Sequence, residues 1–310
     1  MYLTMVRWLA LWVCLCTTMG GAVAATVIIV AADRGEAYSE AAEAVAEQLR
    51  RTGLPSGEVL RLLTSELDGT DMVGRAQPKM FVTLGAASLS KVLSKTPRAA
   101  VIAGLIPRTS YERVLREVGK STAVVSAVYL DQPFGRQLDL IRVAIPDVRR
   151  VGVLWGAESE PQRPALQATM AARGLELKSE TMVAGGLFSG LKDLLGNVDL
   201  LLAVADPQVF NATTLPNILL ATYRARIPVM AFSPAYVKAG ALLSLYSTPA
   251  QVGAQTGALA RAVLQGGGVP PPQYAHEFTI LVNDYVARSL GLQLDATILA
   301  EQLLRIEKRP

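Results

Sequence analysis

The feature that most limits how this chain can fold is an alternation that runs along most of its length. Short apolar runs suited to buried strands are each followed by a stretch of helical period. "TVIIVAAD" (26–33) leads to a helix over 36–52, on which Tyr38, Ala41, Val45 and Leu49 share a face and Gly53 marks the end. "EVLRLL" (58–63), "KMFVTLG" (79–85), "AAVIAGLI" (99–106) and "AVVSAVYLD" (123–131) continue the series, and a helix bearing Phe134, Leu138, Ile141 and Ile145 stops at Pro146. "VGVLWG" (151–156) then opens a second series through "LELKSETM", "VDLLLAVAD" (198–206), "IPVMAFSP" (227–234) and "GALLSLYS", with helices over 161–173 and 214–226. Successive strands separated by a helix can return parallel to one another, so this order implies βαβ units and parallel sheets. Two series that each begin on a fresh apolar strand predict two doubly wound lobes, with crossings near 124–131 and 244–250.

A length of 310 residues accommodates two domains, and 51% apolar against 18% charged residues excludes disorder. Arg7, the apolar run "WLALWVCLCTTMGG" and "AVAA" follow the order of a secretory signal peptide, which predicts a leader over 1–24 cleaved after Ala24. An uncleaved anchor is the rival reading, since "TVIIVAA" prolongs the apolar stretch. Both cysteines, Cys14 and Cys16, fall within the leader, so the exported chain is expected to rely on its core and not on disulfides. Thirty basic residues against 26 acidic ones are scattered without a cluster, which argues against a nucleic-acid partner.

Catalytic patterns are sparse. His276 is the sole histidine and lies in a proline-rich connection, "GGGVPPPQYAHEF". There is no His/Cys cluster with metal-ligand spacing, "GLFSG" does not fit a nucleophile elbow, and no phosphate or dinucleotide fingerprint occurs. No cofactor or metal is expected. Binding patterns are better represented, because ligands of doubly wound sheets sit beyond the carboxyl ends of the strands. Gly85, Ala86, Ala87 and Ser88 join a strand end to a helix start, where backbone N–H groups suit a carboxylate or other anion, or simply form an ordinary βα turn. Asp33 and Asp206 end other strands and suit a ligand amine or hydroxyl, or the capping of the next helix, and Asp131, which closes "AVVSAVYLD", is a further ligand-binding candidate. Tyr129, Trp155, Phe232 and Tyr246 stand at or near further strand ends, as ligand-stacking faces or as core.

One junction is more specific. In "GALLSLYSTPAQVGAQTGALARAVLQGG" (240–267) a strand gives way to a helix at Thr248, where Thr248 and Gln251 form a capping-box pattern and Pro249 takes the first helical position. Gly253 and Gly257 then occupy one helix face, although each glycine weakens a helix by about 1 kcal/mol relative to alanine. Together with "VDLLLAVAD", "RIPVMAFSPAYVKAG", "FTILVNDYVARSLGLQL" and "IPDVRRVGVLWG", this stretch resembles the ABC-transporter substrate-binding proteins of the type I periplasmic-binding fold, in the branch that includes aromatic amino-acid binders. The resemblance is firm over about 198–294 and looser over the rest of 26–300. It implies two lobes with a hinge and an inter-lobe cleft: 25–127 plus 248–270 in the N-terminal lobe, 128–247 plus 271–294 in the C-terminal lobe, and 295–310 as a C-terminal helix and tail. It also implies that the glycine helix returns to the first lobe, where its flat face would approach the sheet.

The function implied is that of a monomeric periplasmic protein which captures a small molecule, an amino acid or related carboxylate, for the membrane permease of an ABC importer. Two departures put the ligand in doubt. "AGLIPRTSYERV" lacks the family's aspartate after the fourth strand, and Ala127 stands where the next crossing usually has glycine. They favour, as an alternative, a ligand-sensing module that signals to a membrane receptor or sensor kinase. A periplasmic enzyme is a third reading, motivated only by the cleft.

Overall fold

The structure, a computed structural model, describes residues 26–51, 53, 55–68, 78–95, 98–119, 121–182 and 187–308. The leader expected over 1–24 lies outside these residues. Twelve described strands form two separate sheets. The first holds β1 (Val27–Ala31), β2 (Val59–Leu63), β3 (Met80–Leu84), β4 (Ala100–Ile106), β5 (Val125–Tyr129) and β11 (Gln273–Tyr274), in the order β2-β1-β3-β4-β5-β11. The second holds β6 (Arg150–Trp155), β7 (Glu176–Thr181), β8 (Leu200–Leu202), β9 (Val229–Ala231), β10 (Leu243–Tyr246) and β12 (Thr279–Val282), in the order β7-β6-β8-β9-β10-β12. Every pairing is parallel except β10 with β12. Each lobe therefore repeats one doubly wound order and borrows its last edge strand from the end of the chain.

The reason is legible in the strands themselves. β3 is buried at all five positions and β1 at four of five, as strands covered by helices on both faces must be. Each sheet carries two apolar clusters, one per face. The C-terminal helix Ala296–Glu307 packs on helix Phe134–Ala144 in the second lobe through Leu299 and Leu303.

Two expected boundaries shift. β5 belongs to the first sheet, so the chain crosses at 130–133 and not at 127/128. β11 also joins the first sheet beside β5, which moves the last crossing from 270/271 to 275–278. A two-residue strand in a proline-rich stretch leaves no periodicity to read.

Helix Pro249–Leu264 begins with the expected capping box, Thr248 Oγ1 accepting from Gln251 N and Gln251 Oε1 accepting from Thr248 N. Its glycines do approach another backbone, but not the sheet's. They face helix Glu36–Arg50: a Cβ on Gly253 would stand 2.5 Å from Ala41 O, and one on Gly257 would stand 2.9 Å from the Val45 Cα. The expectation failed because side-chain size predicts a close approach without saying to what. Gly253→Ala and Gly257→Ala each gain helix propensity, yet both are expected to lose about 1–3 kcal/mol net through overpacking. Urea unfolding measures this, and a gain in stability at both positions would contradict the packing.

Candidate functional site

Both sheets have a point where the strand order reverses, between β1 and β3 in the first lobe and between β6 and β8 in the second. In the first, Asp33 is exposed and accepts Gly35 N–H at 2.6 Å. Gly85, with φ 95, is covered by the Tyr38 ring, which would stand 3.0 Å from a Cβ there. Ser88 is fully buried and donates to Leu84 O (2.8 Å) and Gly85 O (2.9 Å), so its hydroxyl serves the backbone. Ala86 is half-buried and Ala87 exposed. Asp33 and Tyr38 line a depression of about 200 Å³ toward β2, away from the second lobe's strands. Burial, with Asp33 nearby, raises the Tyr38 phenol above its ordinary range.

In the second lobe Asp206 closes the corresponding point. It is 2% exposed and accepts Ser159 N–H at 2.9 Å and Gln208 N–H at 2.8 Å, so it fastens the loop after β6 to the turn after β8. Of the two roles open to it in the sequence, the structure shows the backbone-holding one. Trp155 is wholly buried in the core beneath, with the Arg163 guanidinium 5.8 Å from its ring.

The space that both lobes share lies farther along, beside the crossings, and is narrow, about 30 Å³. Pro107, Thr109 and Tyr274 contribute from the first lobe, and Gln162, Ala203–Ala205, Phe232 and Leu245 from the second. Leu130, Asp131 and Gln132 of the first crossing meet Phe134 and Gln137 between them. A bulge shapes the first-lobe wall. Leu105 takes a left-handed φ of 49 where the β4–β5 register breaks between Ala103 and Ile106, bringing Ile106 opposite Tyr129 ahead of Pro107. That conformation costs a non-glycine residue about 1–2 kcal/mol.

Of the expected residues, this cleft gathers Asp131 and Phe232. Asp131 accepts the Arg108 backbone N–H at 2.7 Å. Loss of water pushes its carboxyl up to about 6, against the opposing pull of that N–H. Phe232 packs edge-to-face on Tyr236 (4.9 Å) and Phe210 (6.1 Å). Tyr129 is withheld from the lining: it is 7% exposed and lies between Tyr111 (5.6 Å) and Tyr274 (5.3 Å), with Tyr274 the ring that reaches the cleft. Tyr246 ends β10 opposite Thr279, half-buried, and its neighbour Leu245 takes the lining position.

The residues that sequence reasoning missed sit on the crossings. Gln132 Nε2 donates to Ser247 Oγ at 2.8 Å, and Ser247 Oγ donates to Glu277 O, which joins all three passes. Arg136, with its side chain 10% exposed, donates to Gln132 Oε1 (2.8 Å), to Ala275 O (2.9 Å) and to Glu307 of the C-terminal helix, over the Phe278 ring. At the rim, Arg113 of the first lobe lies 3.5 Å from Glu158 of the second. The only available signal was the polar density of "DQPFGRQ" between a strand and a helix. Among the described residues, no group of three or more His, Cys, Asp or Glu is placed to hold a metal, and no helix is long and apolar enough to cross a membrane.

Comparison with known proteins agrees with this geometry. The family model for ABC transporter substrate binding proteins matches residues 81–303. An ABC domain from Streptococcus pneumoniae solved in complex with L-Trp aligns at TM-score 0.63 and 18% identity, over 90% of this chain and 98% of that one. The ligand-free, open structure of a Clostridium difficile substrate binding protein with adhesive properties aligns at TM-score 0.70 and 18% identity, over 87% and 96%. A periplasmic ribose ABC transporter protein from Conexibacter woesei aligns at 0.54 and 14%, over 91% and 100%. At these identities the likeness is one of fold. No curated protein matches the sequence.

Replacing Arg136 by alanine leaves the Ala275 carbonyl and Glu307 without this donor. The expected cost is about 1–3 kcal/mol. Arg305→Ala, which removes a 75% exposed member of a surface pair, is expected to cost well under 1 kcal/mol. Equal losses in urea unfolding would show that the crossings are not held by Arg136.

Proposed function

Because the chain belongs to the ABC transporter substrate-binding protein family, we propose that it works in the periplasm as the solute receptor of an importer, delivered there by cleavage of the leader over 1–24. As a monomer it captures a small molecule, of the amino-acid or related carboxylate class, between its lobes and presents it to a membrane permease. The observation that carries this reading is the shared cleft: two separately built sheets contribute opposite walls, and the chain passes between them three times. Closure would then be a hinge motion about 130–133, 247–248 and 275–278, favoured by a ligand that makes better contacts in the closed state. The role is binding and not catalysis.

The amino-acid class draws support from the L-Trp bound to one structural relative and from the aromatic and apolar lining of this cleft. A second reading, a sensing module that signals to a membrane receptor, is favoured by the Pro107–Thr109 wall, where the family's usual aspartate is replaced. A permease complex recovered from membranes would support import, and a sensor kinase recovered without permease would support signalling.

Thermal unfolding against a broad panel of metabolites tests the receptor reading. A ligand at a hundred times its Kd stabilises the native state by about 2.7 kcal/mol, a shift of several degrees. A flat response across the panel would contradict it.

A further inference from the structure

The charges of the cleft are unbalanced. Among the described residues that line it, Asp131 is the only one with an ordinarily charged side chain. The nearest cation does not neutralise it. Arg108 Nε donates to Glu112 at 2.7 Å and its Nη1 to the Tyr274 hydroxyl at 3.3 Å, so the guanidinium's hydrogen bonds go to these groups and it acts on the carboxylate only through space. Asp131 receives only the Arg108 backbone N–H from that residue. The phenols nearby, Tyr111, Tyr129 and Tyr274, are all pushed up by burial and stay neutral. Arg108, Glu112 and Asp131 together leave this corner with one negative charge in excess.

The opposite side offers an anion no charged partner. Gln162, Ala203–Ala205 and Phe232 are uncharged. Gln132 has both ends of its amide committed, to Ser247 and Arg136, and Gln137 Nε2 is bonded to Gln132 O. Phe134, Phe232 and Leu245 supply apolar surface. Asp131 is half-buried and bonded at the start of helix Arg108–Val118, yet it has no cationic partner, and a ligand ammonium would supply one through a charge-assisted hydrogen bond.

We propose that the cleft recognises its solute by a protonated amine received by Asp131, with an apolar or aromatic body against Phe134 and Phe232. The amine, and not a carboxylate, is the selected end. This rests on the solute-receptor reading and narrows its ligand class. It also makes capture dependent on pH. Asp131 must be ionised to receive an ammonium, and its carboxyl titrates at about 6, so affinity holds above that value and falls as pH drops through it. The charged and titratable groups around it are Arg108, Tyr111 and Glu112 on helix Arg108–Val118, Tyr129 on β5 and Tyr274 on β11; the second-lobe residues facing it carry no charge.

The test is calorimetric titration of the full chain with matched triads: L-tryptophan, tryptamine and indolepropionate; L-phenylalanine, phenethylamine and phenylpropionate; L-leucine, isoamylamine and isocaproate. In at least one triad the amine and the amino acid are expected to bind, and the carboxylate to bind ten- to a hundredfold more weakly, the worth of one charged hydrogen bond. Affinity for the amine should fall about tenfold between neutral pH and one unit below the Asp131 titration, as its ionised fraction does. Asp131→Asn keeps an acceptor for Arg108 N–H; it should weaken amine binding to a similar degree and flatten the pH profile. A carboxylate that binds as well as its amine, or an unchanged profile in Asp131→Asn, overturns the proposal. If no triad binds while another metabolite stabilises the protein, the amine class is wrong and the receptor reading stands. If nothing stabilises it, both fall.

Discussion

The rest of the structure depends on how three separate passes of the chain are held in one small space. Gln132 on the first pass, Ser247 on the second and the Glu277 carbonyl on the third form a single hydrogen-bonded line, and Arg136 ties two of them to the C-terminal helix. These groups are largely buried, so each unmade bond would cost more than a made one contributes. The lobes are thereby kept side by side with their strand ends turned to a common gap. Neither sheet alone encloses that gap.

The arrangement also explains why both sheets are finished late. β11 and β12 lie on either side of the last crossing, and each adds an edge strand to a different sheet. Helix Pro249–Leu264, which precedes both, returns to the first lobe and is seated on helix Glu36–Arg50 through Gly253 and Gly257. Lobe integrity therefore depends on residues more than two hundred positions apart, and the crossings are braced by the same segments that complete the cores.

Much of this could be read from the sequence. Apolar strand runs and helical periods are local consequences of burial, so the two series, the parallel sheets and the capped junction at Thr248 were legible. The crossings were less so. Val125–Tyr129 reads as an apolar strand whichever lobe holds it, and Gln273–Tyr274 is too short for any period. The site was the least legible part. Strand-end position marked Asp206, Ser88 and Trp155, yet each is consumed by its own lobe: Asp206 and Ser88 satisfy backbone groups and Trp155 fills the core. Asp131 and Phe232 reach the shared space, joined by Tyr274 and Thr109, which only the assembled lobes bring there. Whether a polar residue faces its own turn or a ligand depends on contacts that span the chain, and no local pattern encodes them.

The central claim is that the gap beside the crossings is where a solute is held. A crystal structure of the protein with a stabilising metabolite tests it most directly. The account requires electron density for that molecule between the Pro107–Thr109 wall and the Ala203–Ala205 and Phe232 wall, in contact with both lobes. Density confined to one lobe, or to the depression beside Asp33 and Tyr38, would contradict it.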